Sequence, residues 1–180
     1  MIERYLSMRG KELRATMVSG HPIDPNTLAG FEYRGISLGL PAFIEKLSWK
    51  IFRKTFHRAS DGELVGWNVR MKQVEGEDLL APSVPLEKKG IPRAFGHYRV
   101  TPAKGRKLPG PYEQGLLIDY GVRGGGSFKL MRDPLIAINK DDPTVLMGLS
   151  YLELGWFRFH TPSFFLLVRE GPIGYLPPRP

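Results

Sequence analysis

The 180-residue chain contains no cysteine, which removes disulfides, thiolate nucleophiles, cysteine-ligated zinc and iron–sulfur clusters. Long apolar runs are missing too. The longest, residues 164–168, is far short of the roughly 20 residues that carry a helix across a bilayer. The first residues bear Glu3, Arg4 and Arg9 and no apolar stretch of the kind a secretory leader needs, so the chain reads as soluble and cytoplasmic. Histidine is scarce: His21, His57, His97 and His160 form no compact ligand spacing, so no metal site is expected. No cofactor is required, although a single histidine would suffice for haem.

What the chain has is a globular composition, 42% apolar and 24% charged, in a length that suits one domain over residues 1–180. Its net charge of +8 draws it towards polyanions, which are nucleic acid, anionic lipid or acidic partners. Glycine (21) and proline (16) supply many turns.

Residues 3–18 predict a helix, with Leu6, Leu13 and Met17 on one side, inside an N-terminal arm over 1–28. Pro41 opens a short second helix carrying Phe43, Ile44, Leu47 and Ile51. From residue 50 the apolar period changes to two. Residues 50–56 and 63–74 pair as a hairpin through Ala59-Ser60-Asp61-Gly62. In the second strand Val65, Trp67, Val69 and Met71 face one way and Asn68, Arg70 and Lys72 the other, one side dry and one wet. Residues 76–93 and 101–114 read as loops. Further strands are expected at 94–100, 116–121, 134–139, 144–154 and 162–169, and the proline-rich residues 171–180 as an extended tail. This pattern predicts a mainly β fold, an antiparallel up-and-down barrel of about eight strands. The N-terminal helix would plug one end.

Several motifs reduce to geometry. Gly35-Ile36-Ser37-Leu38-Gly39 matches G-x-S-x-G but comes after too few strands for a nucleophile elbow. Residues 121–127 lack the G-K-[ST] of a phosphate loop. Residues 93–100 share only fragments of an RNA-recognition signature.

Gly20-His21-Pro22-Ile23-Asp24, Glu32-Tyr33-Arg34-Gly35, Arg132-Asp133-Pro134-Leu135, Met147-Gly148-Leu149 and 163–167 together resemble an uncharacterised bacterial family. In that family a GXWXG module precedes a small barrel. The resemblance implies a lipocalin-like or nitrobindin-like barrel and brings no established chemistry.

Twenty aromatic residues, placed largely in the strands, point to a lumen that takes a hydrophobic or amphipathic small molecule, such as a lipid, an isoprenoid or a haem-like group. Tyr33, Trp67, Met71, Tyr98, Tyr120 and Tyr151 are the expected lining, and His97 the polar contact. An alternative is an isomerase or cyclase using Asp119 or His97 as acid or base in a dry lumen. A third reading attaches the protein to an anionic membrane through Lys46, Lys50, Arg53, Lys54 and Arg58, beside Trp49 and Phe52, with nucleic acid as the rival polyanion.

Overall fold

The computed structural model describes residues 2–39, 50–73, 79–123 and 126–178. Eight antiparallel strands close into a barrel in the order β1-β10-β9-β8-β7-β6-β3-β2. They are β1 (Phe31–Leu38), β2 (Ile51–Arg58), β3 (Leu64–Arg70), β6 (Ala94–Pro102), β7 (Leu116–Asp119), β8 (Met131–Asn139), β9 (Asp142–Leu154) and β10 (Phe157–Pro172). β4 (Glu87–Lys88) and β5 (Ile91–Pro92) form a small separate hairpin inside the predicted loop between β3 and β6. The expected barrel is therefore the observed fold. The second helix predicted from Pro41 lies outside the described residues, as do Lys46 and Trp49.

The N-terminal helix is two helices, α1 (Glu3–Ser7) and α2 (Gly10–Ser19). Met8 and Arg9 adopt extended backbone between them, and the Glu12 carboxylate accepts the Arg9 N–H at 2.9 Å to cap α2. The break turns Met8 into the same apolar cluster as Leu13 and Met17. That cluster includes Ile36, Ile136, Met147 and Leu166, which the strand registers place in one row on the outer wall. So α2 covers the side of the barrel and does not plug its end. Beyond Gly20 the chain bridges His21 to Ala137, and Ile23 and Leu28 enter the lumen core. A segment read as turn is the plug.

Strand alternation thus separates two apolar layers. The lumen holds Tyr33, Phe56, Leu64, Tyr98, Val100, Ile118, Tyr120, Leu135, Phe165 and Leu167. The outer layer holds Trp67, Val69 and Met71 with the α2 cluster. Three inward glycines give their places to rings: a Cβ would stand 2.2 Å from Phe52 at Gly35, 2.4 Å from Tyr98 at Gly66 and 2.1 Å from Phe165 at Gly148. A barrel of eight strands is just wide enough to be filled by side chains. Rings lying across glycines keep the strands close while occupying part of that width.

The lumen cavity and its polar floor

The lumen is filled towards the plug and open towards the other end. Towards the plug, Tyr33 packs edge-on to Phe56 at 5.4 Å, and Phe56 meets Tyr98 at 6.1 Å. Arg169 donates to the Tyr33 hydroxyl, which donates to the Pro143 carbonyl at 3.0 Å and closes this end. Towards the other end a cavity of about 460 Å³ remains open. Phe52, Phe95, Phe128, Phe159 and Phe165, with Met131 and Leu152, give it an apolar wall. Ser37, Ser150, Thr161 and Ser163 border it on the β1, β9 and β10 side.

The floor of the cavity is polar and buried. Lys54, on the inward face of β2 between Phe52 and Phe56, is 2% exposed. Its ammonium donates to Asn68 Oδ1 at 3.1 Å, to Asp133 Oδ2 at 3.2 Å and to the Tyr120 hydroxyl. Tyr120 in turn donates to Asp133 Oδ2 at 3.1 Å. Asn68 Nδ2 donates to the Gly96 carbonyl at 3.1 Å. That carbonyl is aimed by a bulge in β6, where Gly96 has φ +51° and the register with β3 shifts. The Tyr98, Tyr120, Phe165 and Phe52 rings stand 5.0 to 5.6 Å from the ammonium. Ring faces so placed attract a cation.

Burial shapes the chemistry of this group. Desolvation lowers the Lys54 pKa below its ordinary value, and the Asp133 charge only partly restores it. Burial, with the Asp133 charge adding to it, pushes the Tyr98 and Tyr120 hydroxyls well above theirs. Lys54, Tyr120 and Asp133 form a connected path along which a proton can move. The floor as a whole is a neutral ion pair.

The predicted site residues separate on this geometry. Tyr33, Tyr98 and Tyr120 are in the lumen, and of these Tyr120 borders the cavity. Trp67 and His97 are on the outer wall, with ring centroids 6.3 Å apart, beside a smaller cavity of about 240 Å³ that the tail residues Leu176, Pro177 and Pro178 help to enclose. Met71 is in the outer layer; Tyr151 borders the cavity, as expected, while its side chain also packs with Ala103 and Leu117. Burial and the Glu153 charge push that hydroxyl up to about 12. Asp119 also faces outwards, 3.1 Å from Arg132 and 3.9 Å from Arg106, while its neighbours Ile118 and Tyr120 point in. For Trp67 and Met71 the physical reason is that helix, loop and tail cover the outer wall, so apolar residues pack there as well as inside; Asp119 is held outside by its arginine partners. His97, the expected polar contact, stands on the outer wall beside Trp67 and not in the lumen; the side chain of His160 lies outside the described ones.

The expected basic patch is also divided. Lys54 is the floor of the lumen, and Arg53 is ion-paired to Glu32 and Glu170 at 2.9 Å each. Sequence reading missed Lys54, Asn68 and Asp133 as site residues. The signal was present in the flanking residues: Lys54 alternates with Phe52 and Phe56, and Asp133 with Met131 and Leu135. No family model and no curated protein matches the chain.

Proposed function

We propose that the protein binds a hydrophobic or amphipathic small molecule in the open half of its barrel, in the manner of a lipocalin-like carrier. The observation that supports this is the cavity itself: about 460 Å³, walled by five phenylalanines and ending on a buried polar cluster. Ligand sites of small molecules have this make-up, an apolar enclosure of roughly 300–1,000 Å³ with a few polar groups that fix orientation. The test is displacement of an environment-sensitive dye by a panel of lipids and isoprenoids, repeated on Ser150→Phe. That substitution puts a ring at a buried position on the cavity edge. Displacement in the wild type and none in the variant is the expected result. An isomerase or cyclase acting on the bound molecule is the weaker reading, because Asp119 and His97 both lie on the outer wall.

Membrane attachment keeps one specific support, at a different place from residues 46–58. The β9–β10 hairpin carries Trp156, Phe157 and Phe159 at 79%, 63% and 61% exposure, and Phe159 also borders the cavity. Arg158 binds the Lys107 carbonyl at 3.0 Å, which brings the basic 104–107 loop beside this tip. Exposed aromatic rings next to lysines suit the headgroup region of an anionic bilayer, and would set the mouth of the cavity against it. Co-sedimentation with anionic vesicles, lost in Trp156→Ala/Phe157→Ala, tests this reading.

A further inference from the structure

The floor of the cavity decides which polar end a ligand can bury there. A lysine ammonium has three N–H donors and no acceptor, and all three of Lys54 are committed, to Asn68, Tyr120 and Asp133. The Tyr120 hydroxyl accepts from Lys54 and donates its one proton to Asp133. Asn68 accepts at Oδ1 and donates from Nδ2 to Gly96 and, at 3.4 Å, to Tyr120. Asp133 Oδ2 accepts twice. The remaining valence is Asp133 Oδ1, a buried carboxylate oxygen with no hydrogen-bond partner among the described residues, on a residue that is 1% exposed and borders the cavity. Buried polar atoms are nearly always partnered, and one that is not marks a place where a donor belongs.

We infer that the ligand carries a neutral hydrogen-bond donor, a hydroxyl group, on an apolar body, and that this hydroxyl donates to Asp133 Oδ1. The inference rests on the carrier reading above and narrows its ligand class. A carboxylate is disfavoured on two counts: no donor of the floor is free to receive it, and it would bring a second negative charge against Asp133. A protonated amine could donate to Asp133 but would stand beside the Lys54 ammonium, which lies 3.2 Å from the same carboxylate. An ester or hydrocarbon has no donor and leaves Oδ1 as it is. The floor is a charge-neutral acceptor, and a hydroxyl matches it on both properties.

The experiment compares 1-dodecanol, dodecanoate, dodecyl acetate and dodecylamine at neutral pH by dye displacement on the whole chain. The four share a tail and differ at the polar end. The expected order puts the alcohol first, tighter than each of the others by about tenfold or more, as suits a hydrogen bond to a charged acceptor. The double variant Lys54→Met/Asp133→Leu replaces the ion pair by apolar side chains, and in it the alcohol and the acetate bind within about twofold of each other. Dodecanoate binding as tightly as dodecanol in the wild type, or an alcohol preference that survives in the double variant, would overturn the inference and leave the carrier reading intact. No displacement by any of the four at ~100 μM, a weak affinity, would overturn the carrier reading for this ligand class and the inference with it.

Discussion

Lys54 Nζ lies 3.2 Å from Asp133 Oδ2 across the barrel lumen, and both side chains are almost wholly buried. The two residues come from β2 and β8, which are not neighbours in the sheet. Their contact therefore spans the interior. Removing one partner strands a charge, whereas removing both does not. Lys54→Met alone should cost about 3–5 kcal/mol of stability. Lys54→Met/Asp133→Leu should lie within about 2 kcal/mol of the wild type, since apolar replacement of a buried pair is often neutral or better. Urea unfolding of the three proteins checks the order. A single variant as stable as the double would contradict a buried pair.

Stability should also depend on alkaline pH through Lys54. Its folded-state pKa is lowered, chiefly by burial, from the 10.5 of an unburied lysine. Between those two values the unfolded chain holds the proton that the folded chain has released, so stability rises with pH across that window. Above pH 10 the raised Tyr98 and Tyr120 act oppositely: they ionise in the unfolded chain and stay neutral in the folded one, so stability then falls. Measured between pH 7 and 10, the wild type should gain on the Lys54→Met/Asp133→Leu variant. A relative loss over that range would have the wrong sign.

At Gly148 a methyl group would meet the Phe165 ring at 2.1 Å. Phe165 is 3% exposed and forms part of the cavity wall, so the ring has to yield into the cavity or strain the sheet. Gly148→Ala should destabilise by about 1–3 kcal/mol, the usual cost of overpacking, and weaken ligand binding. Chemical unfolding and dye displacement on the same sample report both effects. A stable variant with full binding would show that the ring is not held there.

Trp67 and His97 belong to the outer wall and do not border the cavity, so Trp67→Phe and His97→Ala should leave ligand affinity within about twofold, as for sites that share no partners. Phe165→Ala should alter affinity strongly, since that ring borders the cavity. Titration of the three variants with 1-dodecanol separates wall from lumen. Affinity loss in the Trp67 variant and none in the Phe165 variant would move the site outside the barrel.

The contrast between those residues shows how far the sequence could be read. Period-two alternation along 64–71 announced a strand with two distinct faces, and the run of such strands announced the barrel. Which face was the lumen did not follow. The expectation that apolar residues point in and Asn68 meets water puts Trp67 and Met71 in the lumen, the reverse of what is found. The outer wall is covered by α2, the 79–80 segment and the tail, so it is as apolar as the inside. Lys54 was assigned to a surface patch because it follows Arg53 in a basic run. Its neighbours on the same face, Phe52 and Phe56, carried the opposite message, and the distant partner Asp133 could not be seen until the barrel closed. The helix break at Met8 and Arg9 was hidden for a different reason: the helical period continues through it, and only the cap geometry ends α1.

Methionine methyl NMR offers the most direct test of lumen binding. Met131 borders the cavity, whereas Met8, Met17, Met71 and Met147 sit in the outer apolar layer. Titrating 1-dodecanol into protein labelled at the methionine methyls should shift the Met131 signal in a saturable way and leave those four nearly unmoved. A saturable shift at Met71 or Met17 with Met131 unchanged would contradict a ligand in the barrel.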